Sequence, residues 1–283
     1  MLCSMTAFAR QSAEGEWGTA VWEIRTVNHR YLEPGIRLPE DLRGLEPEVR
    51  DRLSQRLSRG KVDCTLKLGG GARQAEFTIN SELVTHLKDA AHHVEPNSSL
   101  NPMDLLKWPG VLEMPTLDPD TTGAAILEVL DATLDQLVDA RVREGNKLGE
   151  AMYSRIELIR VQVEYLVTRV PDIIAAQRTR HVQRVQDLAP DIDEGRLEQE
   201  CALLAQKLDV AEELDRLQAH VGEVERVLKK GGAVGRRLDF LMQEMHREAN
   251  TIGSKSAHID TTNASVELKV LIEQMREQVQ NIE

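Results

Sequence analysis

Residues 124 to 138 read AAILEVLDATLDQLV, and this stretch decides the fold class of the 283-residue chain. Its apolar residues recur every three or four positions, at Ile126, Leu127, Leu130, Leu134, Leu137 and Val138. This spacing places them along one face of an α-helix. Because similar spacing continues along most of the following sequence, we predict a long-helix, coiled-coil-like C-terminal domain.

Proline and glycine residues divide this helical region into segments. Pro171 predicts a kink or an end in the first long helix, because proline lacks the backbone N–H that a helix needs. Gly231-Gly232 predicts the end of a helix that begins near Arg196. Two more helices are predicted from about Gly235 to Asn250 and from about Thr262 to Gln280. Apolar residues on or near one stripe of the last helix are Val266, Val270, Met275 and Val279.

The region before residue 95 shows the two-residue period of β-strands. One strand is predicted over residues 20–27 and another over residues 62–68, followed by a glycine loop and a strand that includes Phe77 and Ile79. Between the first two strands, residues 42–57 have helical spacing. We therefore predict the α+β class, with a mixed strand and helix N-terminal domain.

Proline-rich sequence separates the two kinds of pattern. Five of the ten prolines lie between residues 95 and 123, which is typical of a connector. The predicted organisation is an α+β N-terminal domain (1–95), a connector (96–123), a long helical hairpin or arm (124–195) and a C-terminal helical domain (196–283).

The charge and residue composition exclude some classes of protein but do not identify a function. The net charge of −12 alone argues against nucleic acid, but the acidity is concentrated between Asp187 and Asp215. Residues 25–61 carry nine Lys/Arg against six Asp/Glu, so basic surface is available for RNA. The sequence shows no secretory signal and no membrane-spanning run, and its three cysteines form no CxxC pair. We expect a cytoplasmic protein with reduced thiols and no membrane partner.

Several stretches resemble the bacterial YicC/YloC family, and together they run through essentially the whole chain. They are SMTAFA (4–9), EIRTVNHRYL (23–32), DVAEELDRL (209–217), GRRLDFLMQEM (235–245) with its continuation REANTIGSK (247–255), and residues 271–283. The chain departs from the family at His246, where relatives usually carry Asn, and at Ala7 and Ala9, where they often carry Gly.

This resemblance implies an endoribonuclease that cuts single-stranded or structured RNA in bacterial RNA turnover. It also implies a divalent metal cofactor, Mn²⁺ or Mg²⁺, and a ring-like homohexamer. Other RNA-decay enzymes are further candidate partners. The candidate active-site residues are predicted from the chemistry of the side chains and not from the resemblance.

Acidic residues on two consecutive predicted helices provide the candidate catalytic site. Metal-assisted cleavage of RNA needs carboxylate ligands for the cation and positive charge for the phosphate. If residues 231–234 reverse the chain, the predicted metal ligands Glu213, His220, Glu244 and Glu248 face one another. The predicted catalytic residues are Glu244, Glu248, His220 and Arg247. The competing interpretation is a set of solvated ion pairs one helical turn apart.

RNA contacts are predicted at two places. In the C-terminal region they are Arg236, Arg237, Asn250 and Lys255; in the N-terminal domain they are Arg25, Asn28, Arg30 and Tyr31. Amide and basic side chains bind phosphates, and an exposed aromatic ring can stack on a base. Helix capping and ordinary strand-edge charge are the competing interpretations.

Three alternatives remain open from the sequence. The chain could be a non-catalytic adaptor that presents RNA to other nucleases, or a structural helical oligomer. In a metal-independent mechanism, His220 or His246 would act as general base on the 2′-OH.

Overall fold

A computed structural model describes residues 2–15, 18–69, 78–95, 100–113, 119–190 and 193–283. The chain forms two compact units, one of Phe8–Val138 and the other of Met1–Ala7 with Asp139–Glu283. A small mixed sheet occupies the first unit and long helices form the second, which confirms the predicted α+β class. The division into four functional segments stays a prediction.

A four-stranded sheet forms the centre of the first unit. Its strands are β1 (Ala7–Gly15), β2 (Gly18–Val27), β3 (Leu32–Arg37) and β4 (Gly60–Gly69), in the order β1-β2-β4-β3. β2 is antiparallel to β4, and β3 is parallel to β4. The predicted strands over 20–27 and 62–68 are therefore confirmed, while β1 and β3 were not predicted.

One face of this sheet packs into a hydrophobic core. Alternate residues of β2 and β4 point into it and are buried: Ala20, Trp22, Ile24, Val62, Cys64 and Leu66. A 3₁₀ helix (Glu40–Leu45) and α1 (Glu46–Arg56) add Leu42, Val49 and Leu53. The indole N–H of Trp22 donates to the Ile126 carbonyl at 2.9 Å, so the buried ring keeps a partner for its only polar group.

Smaller elements follow β4. They are β5 (Thr78–Ile79), α2 (Ser81–Val94), α3 (Pro102–Leu106) and β6 (Leu112–Glu113). The predicted strand near Ile79 exists, but it pairs with β6 and not with β4; Phe77 lies outside the described residues.

The long helix α4 spans Pro119–Leu188 and belongs to both units. Its first part joins α1 through the ion pairs Arg52–Asp131 (3.0 Å) and Arg56–Asp135 (2.7 Å). The expectation that the helix could end at Pro171 is wrong, since α4 continues for 17 residues beyond it. Buried side chains on both sides of the proline, including Leu166 and Ile173, provide packing that offsets its lost hydrogen bond.

Four further helices complete the second unit. They are α5 (Glu194–Leu208), α6 (Ala211–Lys230), α7 (Gly235–Ser254) and α8 (Ile259–Val279). The single helix predicted from Arg196 to Lys230 is thus two helices. The Asp209 carboxylate accepts a hydrogen bond from the Ala211 N–H at 2.9 Å. This bond takes the place of a backbone hydrogen bond that a continuous helix would make, so it favours a break between α5 and α6.

The packing face of α8 differs from the predicted stripe. Met275 and Val279 are buried as expected, but Val266 and Val270 are exposed. The face that packs instead has the regular spacing of a helix and consists of Ala264, Leu268, Leu271, Ile272, Met275 and Val279.

The cysteines are free thiols, as expected from their spacing. Burial raises the pKa of Cys64 to about 12, so this thiol stays protonated near neutral pH. Within the described ranges, no helix has the length and apolar composition needed to cross a membrane.

The N-terminal residues pack closely against α4 and the end of α8. Ser4 N–H donates to the Arg141 carbonyl at 2.9 Å, and Met5 N–H donates to the Asn281 carbonyl at 2.8 Å. A Cβ atom on Gly145 would lie 2.2 Å from the Leu2 carbonyl oxygen. Glycine at 145 therefore allows the N-terminal segment to contact α4.

We expect Gly145→Ala to lower the free energy of unfolding by about 1–3 kcal/mol, because the methyl group would push the backbone of Leu2 away. Gly222→Ala is the matched control, since a Cβ at that helical position meets no atom within 4 Å. It should be neutral or stabilise the protein by up to about 1 kcal/mol. Urea unfolding of both variants measures the difference, and equal stabilities would contradict the close contact.

Candidate active site on helices α6 and α7

Helices α6 and α7 form an antiparallel pair. Gly231 and Gly232, with φ of 64° and 80°, make the turn after α6. Arg216, early in α6, contacts Glu248, late in α7; Glu223, later in α6, contacts Arg237, early in α7. The predicted chain reversal is confirmed.

Two carboxylates are buried where the start of α6 meets the end of α7. The side chains of Glu213 and Glu248 are only 7% and 6% exposed, and we call them the acid pair. Isolated carboxylates are costly to bury, so their surroundings must supply positive charge or hydrogen bonds.

Arg216 and Lys255 supply that charge. The Arg216 guanidinium lies 3.0 Å from Glu248 Oε1 and 3.7 Å from Glu213 Oε1. Lys255 Nζ donates to Glu213 Oε1 at 3.0 Å and to the Asp209 carbonyl at 2.8 Å. The hydrogen bond to Glu248 raises the pKa of Arg216, and the nearby carboxylate charges add to this effect. Arg216 therefore stays charged and links the acid pair.

Glu248 keeps one acceptor atom free. Its Oε2 is buried and accepts no hydrogen bond from the described residues, whereas its Oε1 is bound to Arg216. Unpaired buried acceptors are uncommon in folded proteins and often occur at functional sites. The lone pairs of Glu248 Oε2 are not used by any described residue.

The other predicted catalytic residues lie outside these contacts. Glu244 and His220 are half-buried, and Arg247 is exposed without an ion pair among the described residues. Among the described residues, no three His, Cys, Asp or Glu side chains are arranged to hold a metal ion. Of the four predicted metal ligands, only Glu213 and Glu248 share a contact, through Arg216. Their metal role stays a prediction.

The predicted RNA-binding residues of this unit have different environments. Arg236 is exposed, while Arg237 pairs with Glu223 at 3.4 Å and lies 5.9 Å from the centre of the Phe240 ring. The Asn250 amide is 3.1 Å from His246 Nδ1. Lys255 is bound to Glu213 and to the Asp209 carbonyl instead of being free at the surface.

The predicted RNA-binding residues of the sheet unit lie at the end of β2 and beyond it. Arg25 is exposed on β2, beside Asp63 of β4. Tyr31 is 62% exposed, and the Arg30 guanidinium lies 5.1 Å from the centre of its ring. Asn28 is also exposed.

Arg216 is the site residue that the sequence prediction omitted. Its spacing of three residues from Glu213 gave a signal, but that spacing is equally typical of a surface ion pair. The contact with Glu248 depends on the packing of α6 against α7.

Family models match both parts of the chain. The model described as "Endoribonuclease YicC-like, N-terminal region" matches residues 2–150, and "Endoribonuclease YicC-like, C-terminal" matches residues 166–283.

Two curated relatives are similar over their full length. A Haemophilus influenzae protein named "Probable endoribonuclease YicC" is 47% identical over 287 aligned residues, which cover 100% of both chains. A Clostridioides difficile protein of the same name is 33% identical over 293 aligned residues, again covering 100% of both.

Proposed function

Since the chain belongs to the YicC-like endoribonuclease family, we propose that it is itself an endoribonuclease that hydrolyses phosphodiester bonds in RNA. The structural observation that carries the chemistry is the buried acid pair with a free oxygen on Glu248. A nuclease needs a group that accepts a proton from its nucleophile and cations that hold the phosphate.

We propose that Glu248 is the general base. Its Oε2 would take a proton from the attacking water, while Arg216 keeps Oε1 in place. Arg247, one residue earlier, is exposed and could hold a phosphate through two parallel hydrogen bonds. Glu244 and His220 are proposed to assist proton transfer from positions nearby on α7 and α6.

A divalent cation, Mn²⁺ or Mg²⁺, is the proposed cofactor. Glu213 and Glu248 would hold it, with Glu244 and His220 as further proposed ligands. Mg²⁺ often takes only one or two carboxylates from the protein and completes its shell with water and phosphate, so the number of carboxylates in the acid pair is compatible with such a site. Arg216 contacts both carboxylates, and cation binding would replace some of those contacts. When bound, the ion would stabilise charge that develops on the phosphate.

RNA binding is proposed at both sets of basic residues. Arg236, Arg237, Asn250 and Lys255 would contact the strand near the acid pair. Arg25, Asn28, Arg30 and Tyr31 would make residues 1–95 an RNA-handling domain, with 196–283 as the catalytic domain.

We propose a cytoplasmic homohexamer that acts in bacterial RNA turnover, with other RNA-decay enzymes as further partners. Exposed apolar residues on α4, such as Leu158, Val161 and Tyr165, leave surface for contacts between copies.

Incubation of the purified protein with an end-labelled RNA tests the proposed function. We expect internal cleavage that EDTA stops and Mn²⁺ or Mg²⁺ restores, with 5′-phosphate product ends. Products with 2′,3′-cyclic phosphate ends would instead indicate attack by the 2′-OH, with His220 or His246 as base. RNA binding without cleavage under all these conditions would favour the adaptor function.

A further inference from the structure

The four-stranded sheet has a second face that the proposed catalytic chemistry does not use. We propose that this face binds single-stranded RNA, with Phe8 as the base-stacking residue and Arg25 and Arg37 as phosphate contacts. The inference rests on the proposed function, because it assigns part of the substrate path. We call this surface the open sheet face; its aromatic and charged residues are Phe8, Arg10, Glu14, Glu23, Arg25, Glu33, Arg37, Lys61, Asp63 and Lys67.

The strand registers place the arginines on one surface. Arg25 of β2 and Gly35 of β3 are both register partners of Asp63 on β4, and Arg37 is the partner of Thr65. Register partners project their side chains to the same side of a sheet. Because Gly35 has no side chain, the backbone between Arg25 and Arg37 is accessible; a Cβ there would lie 3.5 Å from Asp63 Oδ1.

Ion pairs place β1 on the same surface. Glu23 lies between two cations, 3.6 Å from Arg10 Nε of β1 and 2.7 Å from Lys67 Nζ of β4. The hydrogen bond to Lys67 lowers the pKa of Glu23, so this acid stays ionised with its charge compensated. The face can therefore approach a phosphate chain without an unpaired carboxylate at this point.

Phe8 is the exposed aromatic residue on β1. It alternates with buried Ala9, so it projects to the same side as Arg10, and it is 58% exposed. Only two residues separate β1 from β2, which requires an antiparallel pair. Phe8 lies two residues before Arg10, and Arg25 lies two residues after Glu23. Phe8 therefore lies opposite Arg25 or one same-face position away from it on β2.

This combination matches single-stranded RNA better than duplex RNA or protein. Bases of a single strand can stack on an exposed ring, whereas bases within a duplex are already stacked on one another. The open sheet face carries five basic and four acidic residues in a chain of net charge −12, so it is more favourable to phosphate than the chain as a whole. Arg30 and Tyr31 provide a second cation and ring beyond the end of β2.

Fluorescence anisotropy with a labelled 12-nucleotide oligo-U tests the inference in EDTA, with RNA integrity checked on a gel afterwards. We expect Phe8→Ala to weaken binding about tenfold, and Phe8→Tyr to retain it. Trp108→Ala is the matched control, because Trp108 is an equally exposed aromatic outside the four-stranded sheet. Arg25→Ala and Arg37→Ala should each make the slope of log K against log salt less steep by about 0.7.

Two comparisons separate the possible outcomes. Phe8→Ala and the wild type should bind duplex RNA with equal affinity. If the substitution weakens binding of duplex RNA as much as binding of oligo-U, the stacking role of Phe8 is overturned. Unchanged oligo-U affinity in the Phe8 and arginine variants would also overturn the inference and leave this face for a protein partner. Cleavage by the wild-type protein is measured separately. If the wild type cleaves RNA but Phe8→Ala binds oligo-U as tightly as the wild type, only the proposal for the sheet is refuted.

Discussion

Glu248→Gln is expected to reduce the rate of RNA cleavage by about 10²–10⁴-fold while RNA affinity stays within a few fold of the wild type. A positioned general base contributes rate enhancement of this size. Glutamine preserves the shape of the side chain and can still accept a hydrogen bond from Arg216, but its amide is not a base at neutral pH. Single-turnover cleavage of a labelled RNA measures the chemical step, and anisotropy measures binding.

Glu212→Gln is the matched control for this substitution. Glu212 is an exposed acid that also pairs with Arg216, so the variant removes a carboxylate contact from the same guanidinium without altering the acid pair. Its cleavage rate should stay within about twofold of the wild type, in line with the small contribution of exposed ion pairs. If both variants cleave at the wild-type rate, Glu248 serves only to hold Arg216, and the reaction must occur at other residues.

The sequence predicted the parts of the fold that depend on local periodicity. Trp22 and Ile24 alternate with polar residues, and the strand predicted around them is β2. β3 could not be predicted in the same way, because Pro34 and Gly35 are unfavourable in strands and no local signal reveals a parallel partner. Similarly, Pro171 is a local signal for the end of a helix, but packing along α4 overrides it.

The candidate site was predictable to the extent that it depends on spacing within helices. Glu213 and Glu248 were both selected, and the turn at Gly231-Gly232 allowed them to be placed on facing helices. The burial of these two side chains depends on how closely α6 packs against α7. The residue spacing within a single helix does not predict that packing. For the same reason Lys255, predicted as an RNA contact, was not recognised as the partner of Glu213.

Arg141 connects three distant segments inside the second unit. The side chain is only 5% exposed, its Nε donates to the Ser4 carbonyl at 2.7 Å, and its Nη2 pairs with the Glu283 carboxylate. Ser4 N–H returns a hydrogen bond to the Arg141 carbonyl. One guanidinium therefore joins α4 to the N-terminal residues and to the residues after α8.

We expect Arg141→Met to lower the free energy of unfolding by about 3–5 kcal/mol, because it leaves the partly buried Glu283 carboxylate without its guanidinium. At about 2–4 °C per kcal/mol, the melting temperature would fall by roughly 10 °C. Arg143→Met is the control, since Arg143 is exposed on the same helix and should change stability by less than about 0.5 kcal/mol. Adding Glu283→Leu to Arg141→Met should restore part of the loss by removing the carboxylate that has lost its guanidinium. Calorimetry that finds the two single variants equally stable would show that these connections contribute little to folding.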